Sequence, residues 1–158
     1  FNMTGWRIGF VCGSSKAVKA YATVKDNTDS GQFRAIQKAA IQALRHTEIT
    51  EKTISKYSRR FDLLVDALNE SGFDARKPKG SFYCYVKAPV GSEDGKVFNS
   101  ATEFSEFLIH ESLISTVPWD DAGKYVRFSV TFEADSMQKE IEVINEMKQR
   151  LKKLRLKF

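Results

Sequence analysis

Between residues 54 and 99 the apolar side chains change period, and that change limits the folds open to the chain. Ile54, Tyr57, Phe61, Leu64 and Leu68 recur at the spacing of one helix face, with Arg59, Arg60, Asp66 and Glu70 mostly off the stripe. Gly72 supplies a C-terminal stop, so the pattern predicts a helix of about five turns, long enough to bridge two domains. From Phe73 the pattern shifts. Pro78-Lys79-Gly80 makes a turn, and residues 81–87 are rich in aromatic and β-branched side chains, which suit a pleated, half-buried strand. A chain that switches from period 3.6 to period 2 must pack helices on a sheet.

The rest of the second half repeats that alternation. Residues 91–99 read as a polar loop, and Ser100 with Glu103 forms a capping box ahead of Phe104, Phe107 and Leu108. Residues 113–117 read as a strand stopped by Pro118, and residues 125–131 as a third strand after the turn Asp120-Asp121-Ala122-Gly123. Asp135 with Gln138 offers a cap for a last helix carrying Met137, Ile141, Ile144, Met147, Leu151 and Leu154 on one face. Helix, strand, helix, strand, strand, helix is an α+β order: a small sheet backed by helices.

The first half is different in kind. Residues 8–11 read as a short buried strand, and Ser14 or Ser15 can cap a helix carrying Val18, Tyr21, Ala22 and Val24. Asp26-Asn27-Thr28-Asp29-Ser30-Gly31 is turn and cap chemistry, followed by Phe33, Ile36, Ala40, Ile41 and Leu44 at helical spacing. One strand and two helices are too little to close a core, so this half is expected to be the edge of a larger α/β domain. The start at Phe1 rather than Met fits an upstream part.

With 42% hydrophobic residues, including twelve Phe, the chain has the material for a core. No apolar run approaches the roughly 20 residues that span a bilayer, and no leader with a cleavage site is visible. Cys12 and Cys84 form neither a metal spacing nor a CxxC pair, so a reducing cytoplasm is the expected compartment and Cys84 a buried strand thiol. His46 and His110 are isolated and read as structural. The net charge of +5 gathers in Lys148, Arg150, Lys152, Lys153, Arg155 and Lys157. Without interleaved aromatics for bases to stack on, these read as the solvated face of a terminal helix. Neither nucleic acid nor membrane is expected as a partner.

Three motifs carry more. Asn2-Met3-Thr4-Gly5-Trp6-Arg7-Ile8-Gly9 resembles the segment that follows the Schiff-base lysine in class I and II aminotransferases, fold type I enzymes dependent on pyridoxal phosphate (PLP). Pro78-Lys79-Gly80-Ser81-Phe82-Tyr83 is similar to the turn and strand that open their small domain. The run from Val117 through Asp120, Gly123 and Arg127 to Ser129 resembles their C-terminal Gly-x-x-x-Arg-x-Ser motif. Order and spacing agree over essentially the whole chain, most like the aspartate and LL-diaminopimelate aminotransferase branches, between which the sequence does not choose.

The resemblance implies a role for each motif. Counting back eight residues from Arg7, the family's spacing, puts the lysine two positions before Phe1, so no catalytic residue is expected within the chain. Arg7 would grip the cofactor phosphate, a dianion that a planar guanidinium holds by two oxygens at once, with Gly5 and Gly9 allowing tight turns and close packing. Arg127 would bind the substrate α-carboxylate, common to every amino acid and 2-oxo acid. Strand alternation groups it with Tyr125 and Ser129, opposite Val126, Phe128 and Val130. Asn27 or Ser30 can donate to the cofactor or substrate of a neighbouring subunit in a homodimer, or simply cap a helix. The domains expected are 1–48 as the remnant of the large PLP-binding domain, 49–72 as an inter-domain helix, and 73–158 as the small domain. The isolated chain is expected to be inactive. The rival expectations are a PLP-fold effector domain of a regulator and a non-enzymatic module that binds through its basic C-terminal helix.

Overall fold

The computed structural model describes Phe1 and residues 3–158; Asn2, the first residue of the N-terminal motif, lies outside the described residues. The chain resolves into two units, Phe1–Ser55 and Lys56–Phe158. A three-residue helical turn, Thr4–Trp6, precedes α1 (Ser15–Asp26), α2 (Arg34–Ala43) and α3 (Thr47–Asn69), and the unit boundary falls within α3. Then come β1 (Tyr83–Lys87), β2 (Gly91–Ser92), α4 (Ala101–Ser112), β3 (Val117–Trp119), β4 (Tyr125–Ser129), α5 (Met137–Lys153) and β5 (Leu156–Lys157). Among the described residues no helix is long and apolar enough to cross a membrane.

In the first unit no described residue is buried. The strand expected at 8–11 is not formed: Phe10 and Val11 are 75% and 54% exposed in irregular backbone. A strand needs a neighbour to take its N–H and C=O groups, and no other strand lies among the described residues of this unit. The helices form from local signals. Ser14 caps α1, its hydroxyl accepting from Ala17 N at 3.3 Å.

The second unit has a core. β4 lies between β1 and β3 in an antiparallel sheet, with Cys84 opposite Phe128, Tyr85 and Val117 flanking Arg127, and Trp119 opposite Tyr125. The pleat sends Cys84, Val86, Val126 and Phe128 to one face, where they pack with Phe61, Leu64 and Leu68 of α3, Phe104 and Leu108 of α4, and Ile144 and Leu151 of α5. Phe73 is central: its ring centroid lies 6.3 Å from Phe104, 6.0 Å from Phe128 and 4.8 Å from Phe158.

Several boundaries differ from expectation. Leu113 starts no strand; at φ 55 it ends α4 in the left-handed conformation. Pro118 does not stop a strand but sits inside β3, opposite Val126, which is tolerated because β3 is an edge strand with no partner on its outer side among the described residues. The cap of α5 is Ser136, not Asp135, its hydroxyl accepting from Lys139 N at 3.2 Å. Ser100 caps α4 as expected (3.1 Å from Glu103 N), while the Glu103 carboxylate accepts from Asn99 N at 2.7 Å. The terminal helix is shorter than its apolar stripe. The chain leaves it at Arg155 (φ 45), and Leu156–Lys157 pairs with Gly91–Ser92, a stretch expected to be loop.

That small sheet explains one glycine. A Cβ on Gly91 would drive into the backbone carbonyl of Lys96, which cannot swing aside as a side chain could. Gly91→Ala is expected to cost about 1–3 kcal/mol and to raise amide exchange at Val90, whose N–H donates to Lys157 O. An unchanged urea midpoint would remove that explanation.

A buried ionic cluster ties α3 to α5. Arg60, off the apolar stripe, is only 1% exposed. Its Nε donates to Glu140 Oε1 at 2.8 Å, and its Nη atoms donate to the carbonyls of Val130 (2.9 Å), Phe132 (2.5 Å) and Ala134 (3.4 Å). Arg59 adds a forked pair to the same carboxylate, 2.8 and 3.1 Å. Hydrogen bonds from Arg59 first, and also from Arg60, hold the Glu140 carboxyl at about 2 against the opposing effect of burial. Three carbonyls just past β4 are thus clamped by one side chain.

Candidate functional site

Arg127 projects from the middle of β4, on the sheet face opposite the core. It is half-buried, and among the described residues it has no carboxylate within ion-pair distance. Its Nε is buried with no hydrogen-bond partner among the described residues. Aromatic faces hold it instead: the guanidinium carbon lies 4.0 Å from the Tyr83 ring centroid and 5.6 Å from that of Trp119. Tyr85, directly opposite on β1, meets Trp119 edge-on at 6.3 Å and 76°. A buried cation ordinarily has an acid beside it, because desolvating a charge alone is costly. Here rings occupy those positions, and the fork remains open to an anion.

The turn from β3 into β4 is fixed from outside. Asp120 accepts from Ala101 N at 2.6 Å, Thr102 N at 3.2 Å and the Thr102 hydroxyl at 2.8 Å, all at the N-terminus of α4. The Ala101 N–H, then the Thr102 hydroxyl, keep its carboxyl below the ordinary aspartate value. A carboxylate suits that helix end, where N–H groups point outward unpaired.

The other predicted site residues lie in the first unit. Arg7 is exposed, and its own backbone is left-handed at φ 53, ending the turn Thr4–Trp6. Its Nη1 donates to Thr4 O at 3.3 Å, and it has no acidic partner among the described residues. The unusual backbone belongs to Arg7 rather than to its glycines. Neither Gly5 nor Gly9 has a positive φ, and nothing among the described residues lies within 4 Å of a Cβ built on either. In the loop after α1, Asn27 spends its Nδ2 on Thr23 O at 2.8 Å, whereas the Ser30 hydroxyl has no hydrogen bond among the described residues. Asp29 pairs with Lys25 at 2.7 Å and accepts from Gly31 N.

The basic end of the chain is largely committed within the second unit. Lys148 and Lys152 both reach Glu70, at 3.2 and 3.1 Å, and Arg150 pairs with Glu146 at 2.8 Å. His46 bonds Glu48 at 2.9 Å on the surface.

The sequence singles out Arg127 but not the two rings that stand beside it. Tyr83 was legible only as part of a turn motif, and Trp119 only as a neighbour of Pro118. The available signal was parity: Tyr83 and Tyr85 alternate away from the buried Cys84 and Val86, as Arg127 does from Val126 and Phe128.

A family model described as Aminotransferase class I and II matches residues 1–155. The LL-diaminopimelate aminotransferases of Methanococcus maripaludis and Methanocaldococcus jannaschii are 54% and 51% identical to the chain over its whole length, which covers 39% and 40% of theirs. Among solved structures, the aromatic aminotransferase from Pyrococcus horikoshii aligns with a TM-score of 0.73 at 31% identity, over 97% of this chain and 40% of that one. The chain spans about two fifths of the length of the curated relatives it matches.

Proposed function

The chain belongs to the class I and II aminotransferase family, PLP-dependent enzymes of fold type I, and on that footing we propose that it is the C-terminal portion of an aminotransferase. The full enzyme moves an amino group between an amino acid and a 2-oxo acid. The relatives named above favour LL-diaminopimelate as the amino donor over aspartate. Residues 1–48 are then the end of the large cofactor-binding domain, 49–72 the inter-domain helix, and 73–158 the small domain.

The observation that carries this reading is the state of Arg127: half-buried, without a carboxylate beside it among the described residues, and packed against aromatic faces that take none of its N–H donors. Such a group needs an anion, and a planar carboxylate fits its fork with two parallel hydrogen bonds. Because donor and acceptor substrates share the α-carboxylate, one arginine on a central strand serves both half-reactions. It holds the α-carbon in place while proton and amino group move.

The residues of the first unit fit the cofactor. Arg7 offers a guanidinium with only a backbone carbonyl on it among the described residues, held by a left-handed backbone of the kind that gathers at ligand clamps. It would hold the phosphate by two oxygens. Ser30 would donate across a homodimer interface in preference to Asn27, whose amide is already used. When bound, the cofactor supplies an electron sink for the pair left behind as the α-proton departs.

The test compares the full-length enzyme with the chain alone. With added PLP, the full-length enzyme is expected to turn over LL-diaminopimelate with a 2-oxo acid and to ignore an amine lacking the α-carboxylate. Absence of turnover with every amino acid would sink the reading. The 158-residue chain, titrated with PLP, is expected to show no absorbance band that survives dialysis and no transamination. A persistent band would place the lysine within the chain.

A further inference from the structure

We infer that Tyr83, assisted by Trp119, is a positioning residue for the carboxylate-binding arginine: its ring face, rather than an acidic side chain, sets the plane of the Arg127 guanidinium. This rests on the carboxylate role proposed for Arg127. Register puts Tyr83 opposite Ser129 and Trp119 opposite Tyr125, so the two rings flank Arg127 diagonally from the strands on either side. Diagonal neighbours on one sheet face lie within reach of aromatic side chains. The guanidinium carbon stands 4.0 Å from the Tyr83 centroid, and the Trp119 ring closes the other side at 5.6 Å. Tyr85 backs Trp119 edge-on.

The choice of rings has a physical consequence. An aspartate in the same place would fix the arginine equally well, but it would fill the fork and compete with every substrate. A ring face attracts the cation through its quadrupole and uses none of its N–H donors. With Nε buried and without an acceptor, what remains for a ligand is the far end of the fork. The aromatic brace therefore holds the fork still while leaving it empty. Ordering the arginine in advance spares the substrate that entropy on binding.

The test uses the full-length enzyme and three variants. Tyr83→Leu removes the ring and is expected to raise KM about tenfold for the amino acid and the 2-oxo acid alike, with kcat within about threefold of native. Tyr83→Phe keeps the ring face and should restore KM to within about twofold. Trp119→Leu, at a half-exposed position that tolerates truncation, should give a smaller rise of the same kind and serves if Tyr83→Leu does not fold. In an Arg127→Ala background, Tyr83→Leu should add nothing, since its effect passes through that arginine. An unchanged KM in both Leu variants, a Phe variant as impaired as Leu, or a full effect persisting without Arg127 would each overturn the brace. If Arg127→Ala itself leaves KM unchanged, the carboxylate reading fails and the brace with it. If Arg127→Ala raises KM while the Leu variants do not, only the brace fails.

Discussion

Replacing Glu140 with alanine is expected to destabilise the second unit by about 3–5 kcal/mol, because it leaves Arg60 charged, buried and without its acid. Arg60 cannot escape to solvent, since its Nη atoms are committed to the carbonyls of Val130, Phe132 and Ala134. Half-exposed Arg59 can turn outward, so the loss falls mainly on Arg60. Glu140→Gln keeps one acceptor oxygen and should cost less than alanine. Urea midpoints read from Trp119 fluorescence, with Trp6→Phe removing the chain's other tryptophan, measure this directly. A Glu140→Ala midpoint equivalent to less than about 1 kcal/mol would show that the cluster contributes little.

The same carboxylate sets an acid limit. Its folded value, about 2, lies below the ordinary 4.5, so the folded state binds the proton less readily than the unfolded one. The stabilisation is complete above about 4.5 and fades as pH falls towards 2. Glu140→Gln should flatten that part of the stability profile while leaving the slope above it unchanged.

Arg127→Ala should lower kcat/KM of the full-length enzyme by about 100- to 1000-fold, the cost of removing one partner of a desolvated, doubly hydrogen-bonded charge pair. The loss should appear in KM, and equally for amino acids and 2-oxo acids of different side chain, because only the shared carboxylate is affected. Arg127→Lys keeps the charge but loses the planar fork and should fall between. A defect confined to one substrate would assign Arg127 to side-chain recognition instead.

How much of this was readable in advance varies by element. The capping hydroxyl of Ser100 and the parity that sets Arg127 apart from Val126 and Phe128 are local facts, carried by residues a few positions apart. The strand expected at 8–11 is not formed because no other strand lies among the described residues of its unit, and apolar composition cannot supply a ladder by itself. Pro118 misled for a related reason: whether a proline ends a strand depends on whether the strand lies at an edge. Arg60 stands off the apolar stripe of α3, and only the packing of α5 puts Glu140 beside it.

By itself, then, the sequence determined the period of the five helices and of β1 and β4, the α+β class of the second half, and the arginine that faces away from the core. Only the tertiary structure decided what surrounds that arginine. Tyr83 and Trp119 reach it through antiparallel register between strands far apart in the chain, and register is settled by which faces can be buried together. No local pattern encodes that an aromatic face, rather than a carboxylate, will stand 4.0 Å from a given guanidinium.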